Sequence, residues 1–416
     1  MKKLKLLLFA ALFCAPLTAA ADVEINETNF PDEIFRTWLL ARDYGADGVL
    51  TDDEIGAITN INVNYRGISS LKGIEHFTAL TELICPGNQL AALDVSKNTA
   101  LTYLSCYHNQ LTALDLSNNT ALEVLWCYNN LLTVLDVSKN TALTEFFCNN
   151  NQLTALDVSK NTALTFLRCN GNQLTVLDLS KNTALIYLNC YENPLTALDL
   201  SHNTALENLD CSFTQLTTLD LSHNTALSFL YCSSTQLTTL DVSKNAALRF
   251  LYCSSTQLAT IDVSKNAALR FLNCSFTQLT ALDMSNNPIL SRLECYGNQI
   301  KGEAMDILIS SLPQSGTDGD DGYGYGYKFR VYYEGNDGNV CTKSQIAAVK
   351  AKGWTPYYTT DEINWLEYEG MDDAASITLL EVENGAAEIY DLAGQKVTAP
   401  KKGGIYVVGG KKVVVK

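Results

Sequence analysis

The residues here whose type and spacing could do chemistry are cysteines. Eleven of them fall 21 residues apart: Cys85, Cys106, Cys127, Cys148, Cys169, Cys190, Cys211, Cys232, Cys253, Cys274 and Cys295. A thiol can pair into a disulfide, hold a metal or act as a nucleophile. The spacing speaks against all three. A fixed period means one structural unit stacked many times. Equivalent side chains on stacked strands stand about 4.8 Å apart, whereas a disulfide wants its Cβ atoms roughly 3.8 Å apart. An odd ladder of eleven cannot pair completely, and no histidine or CxxC accompanies it to hold zinc. The expectation is a column of buried free thiols serving as small apolar residues.

A second column is acidic: Asp94, Asp115, Asp136, Asp157, Asp178, Asp199, Asp220, Asp241, Asp262 and Asp283. Carboxylates stacked about 4.8 Å apart repel one another. Lys97, Lys139, Lys160, Lys181, Lys244 and Lys265 offset part of that. A calcium row needs several oxygens converging on each ion, so backbone or serine hydrogen bonds to each aspartate are the preferred expectation. The histidines, His76, His108, His202 and His223, sit in no constellation with an acid or nucleophile. No enzyme is expected, because catalysis needs such groups to converge.

The elements that carry these columns follow from one unit, such as Leu101–Ala121. Leu101, Leu104, Cys106, Asn109 and Leu111 form its first half, and Leu114, Leu116 and Asn119 its second. Each half alternates apolar and polar, the period of a half-buried strand. Two short extended segments per coil are therefore expected, joined by asparagine turns, with no helix on the convex side. Eleven such coils make a solenoid with a parallel sheet, an α/β class leaning all-β. The first asparagine column becomes Thr214, Thr235, Thr256 and Thr277 before returning at Asn298. Threonine has a shorter reach and one donor, so slightly altered turns are expected there.

The cysteine fixes which neighbours face outward. Down the stack these are Tyr103, Tyr107, Trp126, Tyr128, Phe147, Phe166, Arg168, Tyr187, Tyr191, Phe229, Tyr231, Phe250, Tyr252, Phe271, Arg292, Glu294 and Tyr296, interrupted at Asn208 and Asp210. A contiguous aromatic strip on an exported protein is the pattern of an interaction surface. Rings with polar handles suit a protein or a sugar. Aromatics are also simply good strand residues that pack on one another. The strip residues named here, the two arginines and Glu294 apart, are the candidate ligand-binding set.

The 21-residue unit, as in LTYLSCYHNQLTALDLSNNTA, resembles a bacterial leucine-rich repeat subclass whose second half echoes its first, over about residues 79–299. That resemblance implies a secreted or surface-displayed protein of a Gram-negative anaerobe, with adhesion or host interaction the usual suggestion.

Before the repeat, residues 1–21 read as a secretory signal peptide: Lys2, Lys3 and Lys5, an apolar run from Leu6, then Ala19–Ala21. Phe13 is too bulky to precede a lipidated Cys14. No other apolar run is long enough to span a bilayer. The net charge is -16, and loss of the leader's three lysines makes it more negative. A polyanion without a basic stripe repels nucleic acid. Residues 22–78 read as an amino-terminal cap that begins with an amphipathic helix. The loop after that helix resembles an EF-hand: Asp43, Asp47, Val49 and Glu54 stand at calcium-ligand positions and Gly48 at the turn glycine. Gly45 departs from it where an oxygen ligand is usual, and a metal-free structural cap is the preferred reading.

Residues 300–370 read as a carboxy-terminal cap: a helix ending at Pro313, a Gly/Asp/Tyr-rich loop over 315–327, then strand, helix and strand. Residues 376–416 are β-rich. Their strands around Ile389-Tyr-Asp391 and Ile405-Tyr-Val-Val408 resemble the sorting domain of type IX secretion substrates. The functional expectation is an extracellular binding module, an adhesin or host-interaction protein using the strip. The alternatives are a structural spacer and a glycan-binding accessory protein.

Overall fold

The computed structural model describes residues 22–315, 326–335, 338–373, 378–380, 389–390, 395–397, 405–408 and 411–415. Residues 1–21, where a signal peptide is expected, and most of the loop at 315–327 lie outside them.

Two short strands open the chain, β1 (Val23–Glu24) and β2 (Val49–Leu50), paired antiparallel. Between them runs helix α1 (Glu33–Leu40). Its start is fixed by Asp32, whose carboxylate accepts the Phe35 N–H and reaches the Ser69 N–H at 2.8 Å. Helix α2 (Asp52–Ala57) begins in a capping box of Thr51 and Glu54. Phe30, Phe35 and Leu39 are buried and cover the open end of the first coil.

The repeat then produces one strand per coil. After β3 (Asn60–Asn62) come β4 (Glu82–Ile84), β5 (Tyr103–Ser105), β6 (Val124–Trp126), β7 (Glu145–Phe147), β8 (Phe166–Arg168) and β9 (Tyr187–Asn189). They continue as β10 (Asn208–Asp210), β11 (Phe229–Tyr231), β12 (Phe250–Tyr252), β13 (Phe271–Asn273) and β14 (Arg292–Glu294). From β4 to β14 each pairs parallel with the next at a register of 21, for example Leu209↔Leu230 and Phe250↔Phe271, while β3 meets β4 at 22, Ile61↔Leu83. The sheet extends past the repeat through β15 (Lys328–Tyr333), β16 (Thr355–Thr359) and antiparallel β17 (Trp365–Glu367), reaching 15 strands. Helices α3 (Glu303–Ser311) and α4 (Lys343–Ala351) accompany those last strands. Asn339 continues the coil chemistry there, donating to Cys295 O and Val331 O. Strands β18 (Thr378–Leu380), β19 (Ile389–Tyr390), β20 (Ile405–Val408) and β21 (Lys411–Val415) form a separate sheet.

Of the two extended segments expected per coil, only the first forms a paired strand; the second half pairs with no neighbouring strand. Side chains replace the backbone ladder there. Asn119 Nδ2 donates to Val95 O and Asn98 O, one coil back, and Asn140 repeats this on Leu116 O and Asn119 O. The core is a column of Leu, Val and Cys at essentially zero exposure.

The aspartate column caps local turns. Asp115 Oδ1 accepts the Ser117 N–H at 2.9 Å, and Asp157, Asp178 and Asp241 do the same with their serines. These bonds hold the carboxyls below their ordinary pKa against the opposing push of neighbouring aspartates. A group whose folded pKa is depressed stabilises the fold above its unfolded pKa of about 3.9, and that contribution is lost as pH falls through the folded value. Thermal melts from pH 6 to 2.5 should therefore show Tm falling once pH drops below about 4. Asp→Asn at 157, 178 and 241 together should flatten that fall. An unchanged slope would remove the column as its source.

Candidate binding face

The sheet side opposite the core carries three outward rows. The first two come from the ends of each strand, and the third from the residue two beyond. Because the register is 21, like falls on like. Phe229 stacks on Phe250 with centroids 4.7 Å apart, and Tyr231 on Tyr252 at 4.4 Å. Trp126 stacks on Phe147 at 5.6 Å, Tyr107 on Tyr128 at 4.3 Å, and Phe166 on Tyr187 at 6.0 Å. Tyr103 meets Trp126 edge-on. Each such pair contributes about 0.5–1.5 kcal/mol beyond its area burial. The strip thus packs along the sheet and also presents half-buried ring edges to solvent.

Two of the rings expected on this surface are not on it. Phe271 is 4% exposed and Tyr296 5%. Arg292 of the last repeat strand lies over Phe271, and beyond the repeat Trp365 of β17 meets the Tyr296 ring at 5.1 Å. Conversely, Phe213 is 61% exposed and Tyr65 64%, outside the three rows. Both follow a strand by three residues and adopt left-handed backbone, φ 54° and 51°. The same 21-residue count, moved one residue past the third row, locates Phe213; Tyr65 stands 22 residues before Gly87 because β3 meets β4 at a register of 22.

Arginines on the face pack on rings. The Arg168 guanidinium lies 4.8 Å from the Phe147 centroid and 5.1 Å from that of Tyr187. At the far end Glu294 accepts from Arg292 and from Arg330, each at 2.6 Å, and Arg330 lies 3.9 Å over Trp365. The break at β10 is a cleft of about 300 Å³ lined by Tyr187, Asn208, Leu209, Asp210, Phe229 and Tyr231. Burial raises the Asp210 carboxyl above its usual pKa, although it accepts the Ser212 N–H at 3.1 Å.

The cysteines point the other way. All twelve described ones are free and buried. Burial pushes Cys106, Cys169 and Cys253 up to about 12. Reaction requires the thiolate, so they are inert while folded. Ellman's reagent at pH 8 should titrate none of the twelve in the native mature chain and all twelve in guanidinium. Fast labelling of even three native thiols would contradict their placement.

The EF-hand-like loop does not gather its candidate ligands. Asp43 opens a single 3-10 turn ending at Gly45, and Asp47 accepts the Val49 N–H at 3.1 Å. Glu54 turns to its own helix start, where Oε2 accepts from Thr51 N and Thr51 Oγ1 at 2.9 and 2.8 Å. Among the described residues, no three His, Cys, Asp or Glu side chains stand close enough to hold an ion. Asp43, Asp47, Val49 and Glu54 as placed do not fit calcium. Also among the described residues, no helix is long and apolar enough to cross a membrane.

No protein-family model matches the chain. A stretch of 70 residues is 40% identical to Internalin J of Listeria monocytogenes serotype 4b (strain F2365), covering 17% of this chain and 8% of that protein. The chain thus matches only a small part of that relative's length. The solved functional domain of InlJ from Listeria monocytogenes, which includes a cysteine ladder, superposes with a TM-score of 0.60 at 24% identity, over 96% of this chain and 99% of that one. An internalin of the same species, InlF, gives 0.70 at 21% identity over 82% and 99%. These likenesses show the fold, a leucine-rich repeat solenoid similar to that of Listeria internalins.

Proposed function

We propose that this chain is a secreted or surface-displayed adhesin-type protein that recognises a partner protein through the aromatic face of its repeat sheet. The observation that carries the reading is the pair of ring stacks, Trp126 on Phe147 and Tyr231 with Tyr252 beside Phe229 with Phe250, standing half-exposed on one side of a rigid sheet. Aromatic residues lose little conformational entropy on binding and are enriched in the cores of recognition sites. The sheet holds them in place before any partner arrives, which lowers the cost of association. The internalin-like repeat supports a binding role, and the chain's chemistry supports no catalytic one.

The test replaces Trp126, Tyr128, Tyr231 and Tyr252 by serine. The variant is checked for unchanged folding and both proteins are screened against extracellular-matrix proteins and glycans. Loss of a protein partner by at least tenfold is expected. Undiminished binding by the folded variant sinks the strip, and a partner found only among glycans replaces the protein reading. Export completes the proposal, with residues 1–21 directing the chain across the inner membrane and residues 376–416 across the outer one by the type IX route. Deleting 376–416 should abolish surface display, and unaltered display would remove that route.

A further inference from the structure

The break in the aromatic strip at β10 has a counterpart elsewhere on the same face. Glu294 occupies on β14 the position that Asp210 occupies on β10, the last residue of the strand in a shared register. There the carboxylate is satisfied within the chain. Arg292, two residues before it, donates through Nε and Nη2, and Arg330 of the next strand donates through Nη1. Each guanidinium also lies on a ring, Arg292 over Phe271 and Arg330 over Trp365. The unit is a carboxylate with arginine forks held flat against aromatics, a geometry that arginine's planar group suits and lysine's does not.

At β10 the acid and the rings are present and the arginine is not. Asn208 stands where Arg292 would be, and Tyr231 where Arg330 would be. None of the ion pairs formed among the described residues includes Asp210. Tyr187 and Phe229 flank the Asn208 position on the two neighbouring strands, so they stand two strand spacings apart, about 9.6 Å. A flat group stacked between two rings at contacts of about 3.5–4 Å on each side needs roughly 7–8 Å, so the gap is wide enough to admit one. Phe229 is backed by Phe250 at 4.7 Å and Tyr187 by Arg168, so both walls are braced from behind. The shorter Asn208 leaves the cleft open above it.

We propose that the cleft at Asp210 is a receptor for an arginine side chain of the partner protein, whose guanidinium would pair with the Asp210 carboxylate and stack between Tyr187 and Phe229. This rests on the proposed protein-binding role of the strip and names its central contact. A net charge of -16 favours approach of a cationic surface. Burial keeps the carboxyl short of full hydration and raises its pKa, and a bound guanidinium would supply the charge partner it lacks.

The probe is N-acetyl-arginine amide, measured on the mature chain by saturation-transfer NMR and titration calorimetry. Its neutral isostere N-acetyl-citrulline amide, N-acetyl-lysine amide and a methyl glycoside are the comparators. Arginine amide is expected to bind at least tenfold more tightly than the other three. Asp210→Asn, with unchanged circular dichroism and Tm, should weaken it at least tenfold. Asn208→Arg should also exclude the probe, because it places in the cleft the arginine that Arg292 provides at β14, and it should not lower Tm. Lys139→Ala, exposed and outside the aromatic strip, should leave probe binding intact. Equal binding of citrulline, lysine or the glycoside overturns the proposal, as does full binding by folded Asp210→Asn. The strip reading stands or falls separately on the serine variant and its protein partners, since that screen does not use the probe.

Discussion

Asn172→Ala should destabilise the chain by about 3 kcal/mol, the largest effect expected of any single polar-to-alanine change inside the stack. The side chain sits between two coils. Its Nδ2 donates to Cys169 O of its own coil at 3.0 Å and to Cys148 O of the preceding one at 3.1 Å, while Oδ1 accepts the Leu153 N–H at 3.0 Å. Alanine leaves the Leu153 N–H unsatisfied in a region closed to water and takes one of two donors from each carbonyl, since Asn193 Nδ2 still reaches Cys169 O and Asn151 Nδ2 still reaches Cys148 O. The orphaned N–H costs about 1–3 kcal/mol, and the two lost amide bonds add to it less than simple addition would give. Asn172→Thr should cost about half as much. Thr214, Thr235 and Thr256 show why: each hydroxyl donates to its own coil's cysteine carbonyl, at 2.7, 2.8 and 2.9 Å. In a solenoid each coil contacts only its neighbours, so a defect in mid-stack also weakens the coupling of the two halves. Urea unfolding of Asn172→Ala should broaden or split, and hydrogen exchange should accelerate first at β7 and β8. Loss of less than 1 kcal/mol with a sharp transition would mean that water replaces the amide.

The same bonds explain what the sequence disclosed and what it hid. The cysteine period specifies stacking, inward thiols and outward rings without ambiguity, because a register of 21 admits no other side-chain alternation. Hence Tyr231 on Tyr252 is legible before any coordinates. The second half of the coil looked like a strand because Leu114 and Leu116 alternate. The pattern could not show that Asp115 binds the Ser117 N–H and that Asn119 takes two carbonyls of the coil before it. Alternation reports which side chains are buried and says nothing of where the backbone bonds go. Three of the four threonine coils show the altered turn expected: hydrogen-bonded turns replace bends at residues 212–213, 233–234 and 275–276, whereas the Thr256 coil keeps bends at 255–256. The two misplaced ring positions have a different cause. Tyr296 is covered from outside the repeat, by Tyr333 of β15 and Trp365 of β17, whereas Phe271 lies under Arg292, one repeat later. No count within the repeat carries the first of these. At the EF-hand-like loop the pattern left two uses open, because Glu54, three residues after Thr51, serves a capping box as well as a ligand set.

Glu294→Ala tests the same physics at the end of the stack, with an expected cost of about 2–4 kcal/mol. The carboxylate is 5% exposed, with Arg292 at 27% and Arg330 at 15%. Its removal leaves two guanidiniums crowded together and deprived of their counter-charge. The Arg330 pKa is already lowered by burial and by Arg292, and Glu294 is the group that opposes this shift. A fully buried pair broken on one side costs about 3–5 kcal/mol, and the partial exposure of the arginines reduces that. The loss should be local, because β15 pairs with β14 beside these side chains and carries β16 and β17 with it. Hydrogen exchange should quicken in β15 and β16 while β5 to β9 keep their protection. Glu294→Gln retains an acceptor but no charge and should cost about half as much. If Glu294→Ala is neutral, the cation–π contacts to Phe271 and Trp365 hold both arginines without the acid. The β10 cleft would then attract arginine by its rings alone, so Asp210→Asn and Glu294→Ala must be measured on the same preparation.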